Sequence, residues 1–270
     1  MPDGPLVDCH VHVFERGMPF TDDAWNRPAY DFRAEQLLKL MDDNGVQFAV
    51  IAAASLYGDY NDYTLRCLRR FRRLRGTVIV GPDASMYELE RMNDEGVCGI
   101  RLQLFHAELP DLDSFQYRRL FARVRDLGWH VHLLTNRQRL VEAVRRVSAT
   151  GVKLVVDHFG YAPEGGLRSE GFEAMLEAVG RGNTWVKLSA GFRQKEPHEE
   201  LARYAEAIDR TCGDRLLFAT DAPFVGRESD ITYSQAIEHF KIWVPDADRR
   251  ARMGRTAYRF YFDRDDRTPA

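Results

Sequence analysis

Short β-branched runs alternate with charged, amphipathic segments from one end of this chain to the other, and that rhythm constrains the fold more than any other feature. The strand candidates are 6–14, 46–54, 76–81, 96–104, 128–134, 152–158, 184–190 and 216–220. Between and after them lie helix candidates at 33–44, 62–73, 87–95, 115–127, 137–147, 172–181, 199–212 and 248–261. Several helices stop at a glycine just before the next strand, as at Asn44-Gly45-Val46, Glu95-Gly96-Val97, Leu127-Gly128-Trp129 and Thr150-Gly151-Val152. Glycine in that place supplies the left-handed residue that ends a helix. Eight βα units without a linker or low-complexity tract predict one α/β domain over 1–270, a closed (β/α)8 barrel rather than a doubly wound sheet. The long polar loops at 15–30 and 191–198 are then expected over the barrel mouth.

Composition narrows the partners. With 38 basic and 41 acidic residues the formal net charge is −3, which offers no electrostatic case for nucleic acid or an anionic membrane. A small-molecule substrate fits better, and a homo-oligomer stays open. Cys9, Cys67, Cys98 and Cys212 form no Cys-x-x-Cys pair, so buried thiols in a reducing compartment are expected. Met1-Pro2-Asp3-Gly4 lacks a basic leader start, and no run approaches the roughly 18 apolar residues of a membrane span; a cytoplasmic protein is expected.

In a (β/α)8 barrel the chemistry occurs at the C-terminal ends of the strands, and the unusual residues of this chain fall there. Asp8-Cys9-His10-Val11-His12 ends the first run and sets two imidazoles on one strand face. Such a pair can share a divalent metal or aim two donors at one substrate oxygen. Further ends carry Arg101 and Gln103, His130 and His132, Asp157-His158, Lys187 and Ser189 with Arg193 beyond, and Thr220-Asp221. Polar groups from so many strands would be costly inside a barrel unless they bind something.

Each has a plainer reading too. Arg101 can pair with an acid across the barrel as readily as with a carboxylate ligand. His130, at its strand's start, is expected to be structural. His132, two residues further up on the same face, can reach the site. Lys187 is expected to be a paired mid-strand lysine rather than a Schiff-base former. Asp221, between an apolar run and Pro223, sits at a strand terminus where a buried carboxylate needs partners, and histidines supply them.

With these residues, the stretches Ser55-Leu56-Tyr57-Gly58, Gly99-Ile100-Arg101, Gly128-Trp129-His130-Val131, Val156-Asp157-His158-Phe159-Gly160 and Thr220-Asp221-Ala222-Pro223 resemble the amidohydrolase superfamily, in its amidohydrolase-2 branch. The branch pattern is His-x-His on strand one, a histidine on strand six and an aspartate on strand eight, matched by His10, His12, His158 and Asp221. Within the branch the chain is most similar to 2-pyrone-4,6-dicarboxylate lactonases and related sugar-lactone and sulfomuconolactone hydrolases.

The resemblance implies hydrolytic opening of a lactone, with Asp221 moving protons and His10, His12 and His158 polarising the carbonyl. The histidines would act directly or through one zinc or manganese ion, with His10, His12, His132, His158 and Asp221 as the ligand set. Catalysis without metal is equally open, since the pyrone lactonases work that way. Ile100-Arg101-Leu102-Gln103 stands where binuclear members carry a lysine, which argues against two metals. Arg101 and Arg193 would orient a substrate carboxylate, with Tyr57, Tyr161 and Ser189 nearby. Tyr161 and Ala107 stand where the pyrone lactonases have arginines. A lactone with one carboxylate, or a neutral sugar-like lactone, is therefore expected rather than a dicarboxylate. The same branch contains single-metal decarboxylases, the nearest alternative; a non-catalytic binding protein is the alternative of another class.

Overall fold

The computed structural model describes residues 4–161 and 166–263. Its strands β1 (Val7–Val11), β2 (Phe48–Ile51), β3 (Leu74–Val78), β4 (Val97–Leu104), β5 (His130–Thr135), β6 (Lys153–Val156), β7 (Thr184–Leu188) and β8 (Leu216–Phe218) pair in parallel and in chain order. The ends of that sheet meet. His12 N donates to Ala222 O at 2.7 Å and Asp221 N to His10 O at 2.9 Å, joining β1 to the chain leaving β8. The Asp8 carboxylate clasps the same seam, accepting from Thr220 N at 2.9 Å, Thr220 Oγ1 at 2.6 Å and the Tyr233 hydroxyl at 2.9 Å. Burial outweighs these bonds and pushes its pKa up to about 6. The result is the expected (β/α)8 barrel.

Around it run α1 (Ala34–Asp43), α2 (Asp62–Arg70), α3 (Met86–Asp94), α4 (Phe115–Asp126), α5 (Leu140–Ala149), α6 (Glu170–Gly180), α7 (His198–Thr211), α8 (Tyr233–Trp243) and α9 (Ala247–Tyr261). The glycine stops behave as expected, with φ of 71°, 105°, 67° and 78° at Gly45, Gly96, Gly128 and Gly151. Most element ends shift by a few residues from the sequence reading, and two differences stand out. β3 begins at Leu74, not residue 76, because Leu74 and Arg75 already pair with Ala49 and Val50. A helix unassigned from sequence, α8, lies between β8 and α9. It starts at a Thr232/Gln235 capping box and buries Tyr233, Ala236, Ile237 and Phe240.

The outer core lies between barrel and helices. A second apolar cluster plugs the lower barrel: Val7, Cys9, Val50, Val155, Trp185 and Leu217 meet Tyr261 and Phe262 at the end of α9. Each fully buried aliphatic or aromatic side chain contributes roughly 1.5–3 kcal/mol. His130 belongs to this floor, donating Nδ1–H to Cys98 O at 2.8 Å and packing its ring on Phe260 and Tyr261. Above the plug the inward positions turn polar, as in the climb from Trp185 through Lys187 to Ser189. No helix among the described residues is long and apolar enough to cross a membrane.

Candidate active site

Four side chains from three distant segments converge at the C-terminal rim of the barrel. His10 Nε2 lies 3.2 Å from His12 Nε2. Asp221 Oδ1 is 3.4 Å from His10 Nε2, 3.5 Å from His12 Nε2 and 3.8 Å from His158 Nε2. The backbone makes this possible by breaking strand alternation. Asp157 and His158 are adjacent and would point to opposite faces of a strand, but β6 ends at Val156 and His158 turns into the left-handed region with φ 51°. Asp221, just beyond β8, does the same with φ 72°. Such conformations cost about 1–3 kcal/mol per non-glycine residue and collect at functional sites.

The hydrogen-bond partners fix where the protons are. His12 Nδ1 faces the Ala52 carbonyl at 2.8 Å, so it must donate, and in the neutral ring Nε2 is then the bare nitrogen. His10 Nδ1 faces the Asp157 carboxylate at 3.1 Å, so it too donates, and its Nε2 is bare as well. Burial holds the His10 pKa well below the usual histidine range, against the pull of Asp157, so the neutral ring is the resting form. Two imidazole lone pairs and one carboxylate oxygen therefore aim at a single point. Neutral imidazoles and a carboxylate are the donor set of a zinc- or manganese-type ion. Their separations of 3.2–3.5 Å match the ligand-to-ligand spacing, about 3.3 Å, that metal bonds of roughly 2.0 Å give in a tetrahedron. His10, His12 and Asp221 thus fit one divalent ion, with His158 alongside.

Asp221 also carries an ion pair. Arg193 donates from Nε to Asp221 Oδ2 at 2.7 Å and from the other side of its guanidinium to Val225 O at 3.0 Å. Burial raises the Asp221 pKa, but Arg193 and then His158 outweigh it and hold the carboxyl ionised, well below its ordinary value. His158 is driven down to about 4 by burial, against the opposing charges of Asp221 and Asp157. Its Nδ1 meets Ser189 Oγ at 2.8 Å.

These groups line the floor of a pocket of about 320 Å³, walled by Trp25, Leu56, Gln103, Phe105, Tyr161 and Arg227. Of the residues expected at the site from sequence, His12, His158, Asp221, Arg101, Arg193 and Tyr161 reach this pocket, and His10 touches the cluster from below. Ser189 is fully buried beneath and orients His158. Tyr57 does not line the pocket; its ring stacks on Phe20 at 5.0 Å in the outer core, because the turn after β2 carries it away from the mouth. His132 lies outside the convergent cluster, its Nε2 pressed against Asp157 and 2.9 Å from Lys187 Nζ. Lys187 is paired inside the barrel, 3.3 Å from Asp157. Arg101 pairs with an acid across the barrel, bonded to Ala53 O at 2.6 Å and Asp157 at 3.3 Å, and its side chain also borders the pocket.

Sequence alone places Asp157 at a strand end without giving it a role, and does not point to Trp25. The signal for Asp157 was its place beside His158; for Trp25, a lone indole in the loop over the mouth. That loop is tied across the rim by the Tyr30 hydroxyl, which donates to Glu228 at 2.8 Å.

Known proteins share this architecture and sequence. The chain is 28% identical over 240 residues to a 2-pyrone-4,6-dicarboxylate hydrolase of Comamonas testosteroni, covering 83% of this chain and 78% of that one. It is 26% identical over 235 residues to a 4-sulfomuconolactone hydrolase of Hydrogenophaga intermedia, covering 84% and 77%. A crystal structure from Pseudomonas putida, described as a candidate 2-pyrone-4,6-dicarboxylic acid hydrolase, superposes with a TM-score of 0.87 at 31% identity, covering 95% of this chain and 97% of that one. The amidohydrolase family matches residues 7–262, nearly the whole chain, and this protein is an enzyme of that family.

Proposed function

We propose that this enzyme hydrolyses the ring ester of a small lactone, with Asp221 as the group that moves the proton. The observation that carries the reading is the position of Asp221 Oδ1, within 3.4–3.8 Å of three imidazole nitrogens at a pocket floor. Relatives named as lactone hydrolases support the reaction class.

Asp221 takes a proton from water as the water attacks the ring carbonyl, and returns it to the ring oxygen as the C–O bond breaks. Arg193 keeps the carboxylate ionised and aimed. His10 and His12 present lone pairs, so neither neutral ring can donate a hydrogen bond to the carbonyl. Their arrangement suits holding a zinc or manganese ion with Asp221, and such an ion would polarise the carbonyl as a Lewis acid. In the alternative without metal, Ser189 donates to His158 Nδ1, leaving Nε2–H of His158 to polarise the carbonyl.

Three arginines border the pocket and, among the described residues, Asp221 is the one carboxylate that lines it, so an anionic substituent on the lactone is favoured. Arg101 and Arg193 are already bonded within the protein and act chiefly by their field. Arg227 also lines the pocket, and its pairing with Asp230 at 3.1 Å is exposed to solvent, so a substrate anion can compete for it. Acid release from a panel of mono-anionic, di-anionic and neutral lactones, followed in a pH-stat with and without chelator, tests the proposal. Turnover fastest with a mono-anionic lactone supports it; no acid from any lactone refutes it.

A further inference from the structure

A second polar layer lies directly beneath the pocket floor. Asp157 Oδ1 receives His10 Nδ1 at 3.1 Å, Lys187 Nζ at 3.3 Å and His132 Nε2 closer still, while Oδ2 receives Arg101 at 3.3 Å. Asp157, Lys187 and His132 are all essentially inaccessible, and none lines the pocket. A buried ion pair of this kind is weak evidence for stability, because apolar residues of equal size often serve as well. Its geometry suggests another purpose.

Two groups face His10 Nδ1 across this layer: Asp157, which can only accept, and Lys187 Nζ at 3.5 Å, which can only donate. Whichever dominates sets the tautomer of His10. With Asp157 dominant the ring proton sits on Nδ1, and Nε2 offers its lone pair upward. With Lys187 dominant the proton would move to Nε2, where it would bond to His12 Nε2 at 3.2 Å and close the site on itself.

We propose that the Asp157–Lys187 pair is a positioning unit that locks His10 in its Nδ1–H tautomer, with Lys187 as the counter-charge that permits a carboxylate at this depth. His132 is part of that support rather than a ligand. Its Nε2 lies against Asp157 and 2.9 Å from Lys187 Nζ, and Thr77 Oγ1 stands 3.4 Å from its Nδ1. The inference concerns a proton's location and holds whatever reaction the pocket performs.

Nitrogen-15 NMR of histidine-labelled protein, as purified and after chelator treatment, reads the tautomer directly, with His10 assigned by its absence from His10→Gln. The wild type is expected to show a protonated Nδ1 and a bare Nε2 at His10. Asp157→Asn should abolish that single tautomer and lower kcat roughly 10- to 100-fold with little change in KM. The double variant Asp157→Leu/Lys187→Met removes acceptor and donor together, leaves no unpaired Asp157–Lys187 charge, and should show the same loss of tautomer preference. A purely structural layer would shift the urea midpoint of these variants and leave the His10 signature intact. That outcome, or a wild-type proton on Nε2, overturns the proposal, and the wild-type spectrum decides this even if a variant fails to fold.

Discussion

Replacing Asp221 by asparagine isolates proton transfer from architecture, because the surroundings orient an amide as firmly as a carboxylate. Arg193 Nε, 2.7 Å from Oδ2, demands an acceptor, so the amide oxygen takes that side. Its NH2 then faces the bare Nε2 atoms of His10 and His12, where Oδ1 now stands at 3.4 and 3.5 Å. Every partner keeps a hydrogen bond, and the main loss to stability is the charge on one bond to Arg193, about 1–3 kcal/mol. Catalysis loses far more. A missing general base costs roughly 10²- to 10⁴-fold in rate, or about 2.7–5.4 kcal/mol of barrier. The assay is initial acid release from the best lactone in a pH-stat, beside a urea titration of the same preparation. We expect kcat to fall by at least about 10²-fold, with KM within an order of magnitude and a cooperative unfolding transition preserved. A folded Asp221→Asn protein that keeps kcat within about tenfold of wild type would refute the assignment.

Further outcomes follow from other parts of the molecule. Trp25→Ala removes a half-exposed indole from the mouth and should raise KM about 2- to 10-fold, with kcat nearly unchanged, in steady-state kinetics. His130, buried in the barrel floor with its pKa lowered to about 3 from 6.5 by burial and then by Lys187, favours folding in its neutral form. Its contribution is complete above about pH 6.5 and falls by roughly 1.4 kcal/mol per pH unit as pH drops toward 3, so His130→Gln should show a shallower acid decline of the urea midpoint than wild type. In Gly254→Ala the new methyl would stand 2.0 Å from Pro5 O, where the N-terminal segment crosses α9; a Tm loss equivalent to about 1–3 kcal/mol is expected by calorimetry.

The barrel was legible because its signals are local and repeated. β-branched runs and amphipathic segments recur at each βα unit, with glycine stops at several, so an error in one, such as the start of β3, leaves the topology unchanged. α8 escaped notice because the polar stretch after β8 masks a four-residue capping box. At the site, residues that strands carry inward could be read from alternation, as with Arg101, Lys187 and Asp221. His158 could not, since alternation assigns it and Asp157 to opposite faces, and only the left-handed turn at His158 brings both inside. Tyr57 and Ser189 show the converse: a polar group near a strand end need not face the mouth, and depth within the barrel is not written in spacing. His132 had the right strand and face for a ligand but stands one layer too low, where Asp157 and Lys187 engage it.

Ring opening in water enriched with oxygen-18 tests the central claim most directly. Hydrolysis at the Asp221 site predicts one heavy oxygen in the newly formed carboxylate, none in the released hydroxyl, and no carbon dioxide. Release of carbon dioxide, or a product without the label in its new carboxylate, would contradict it.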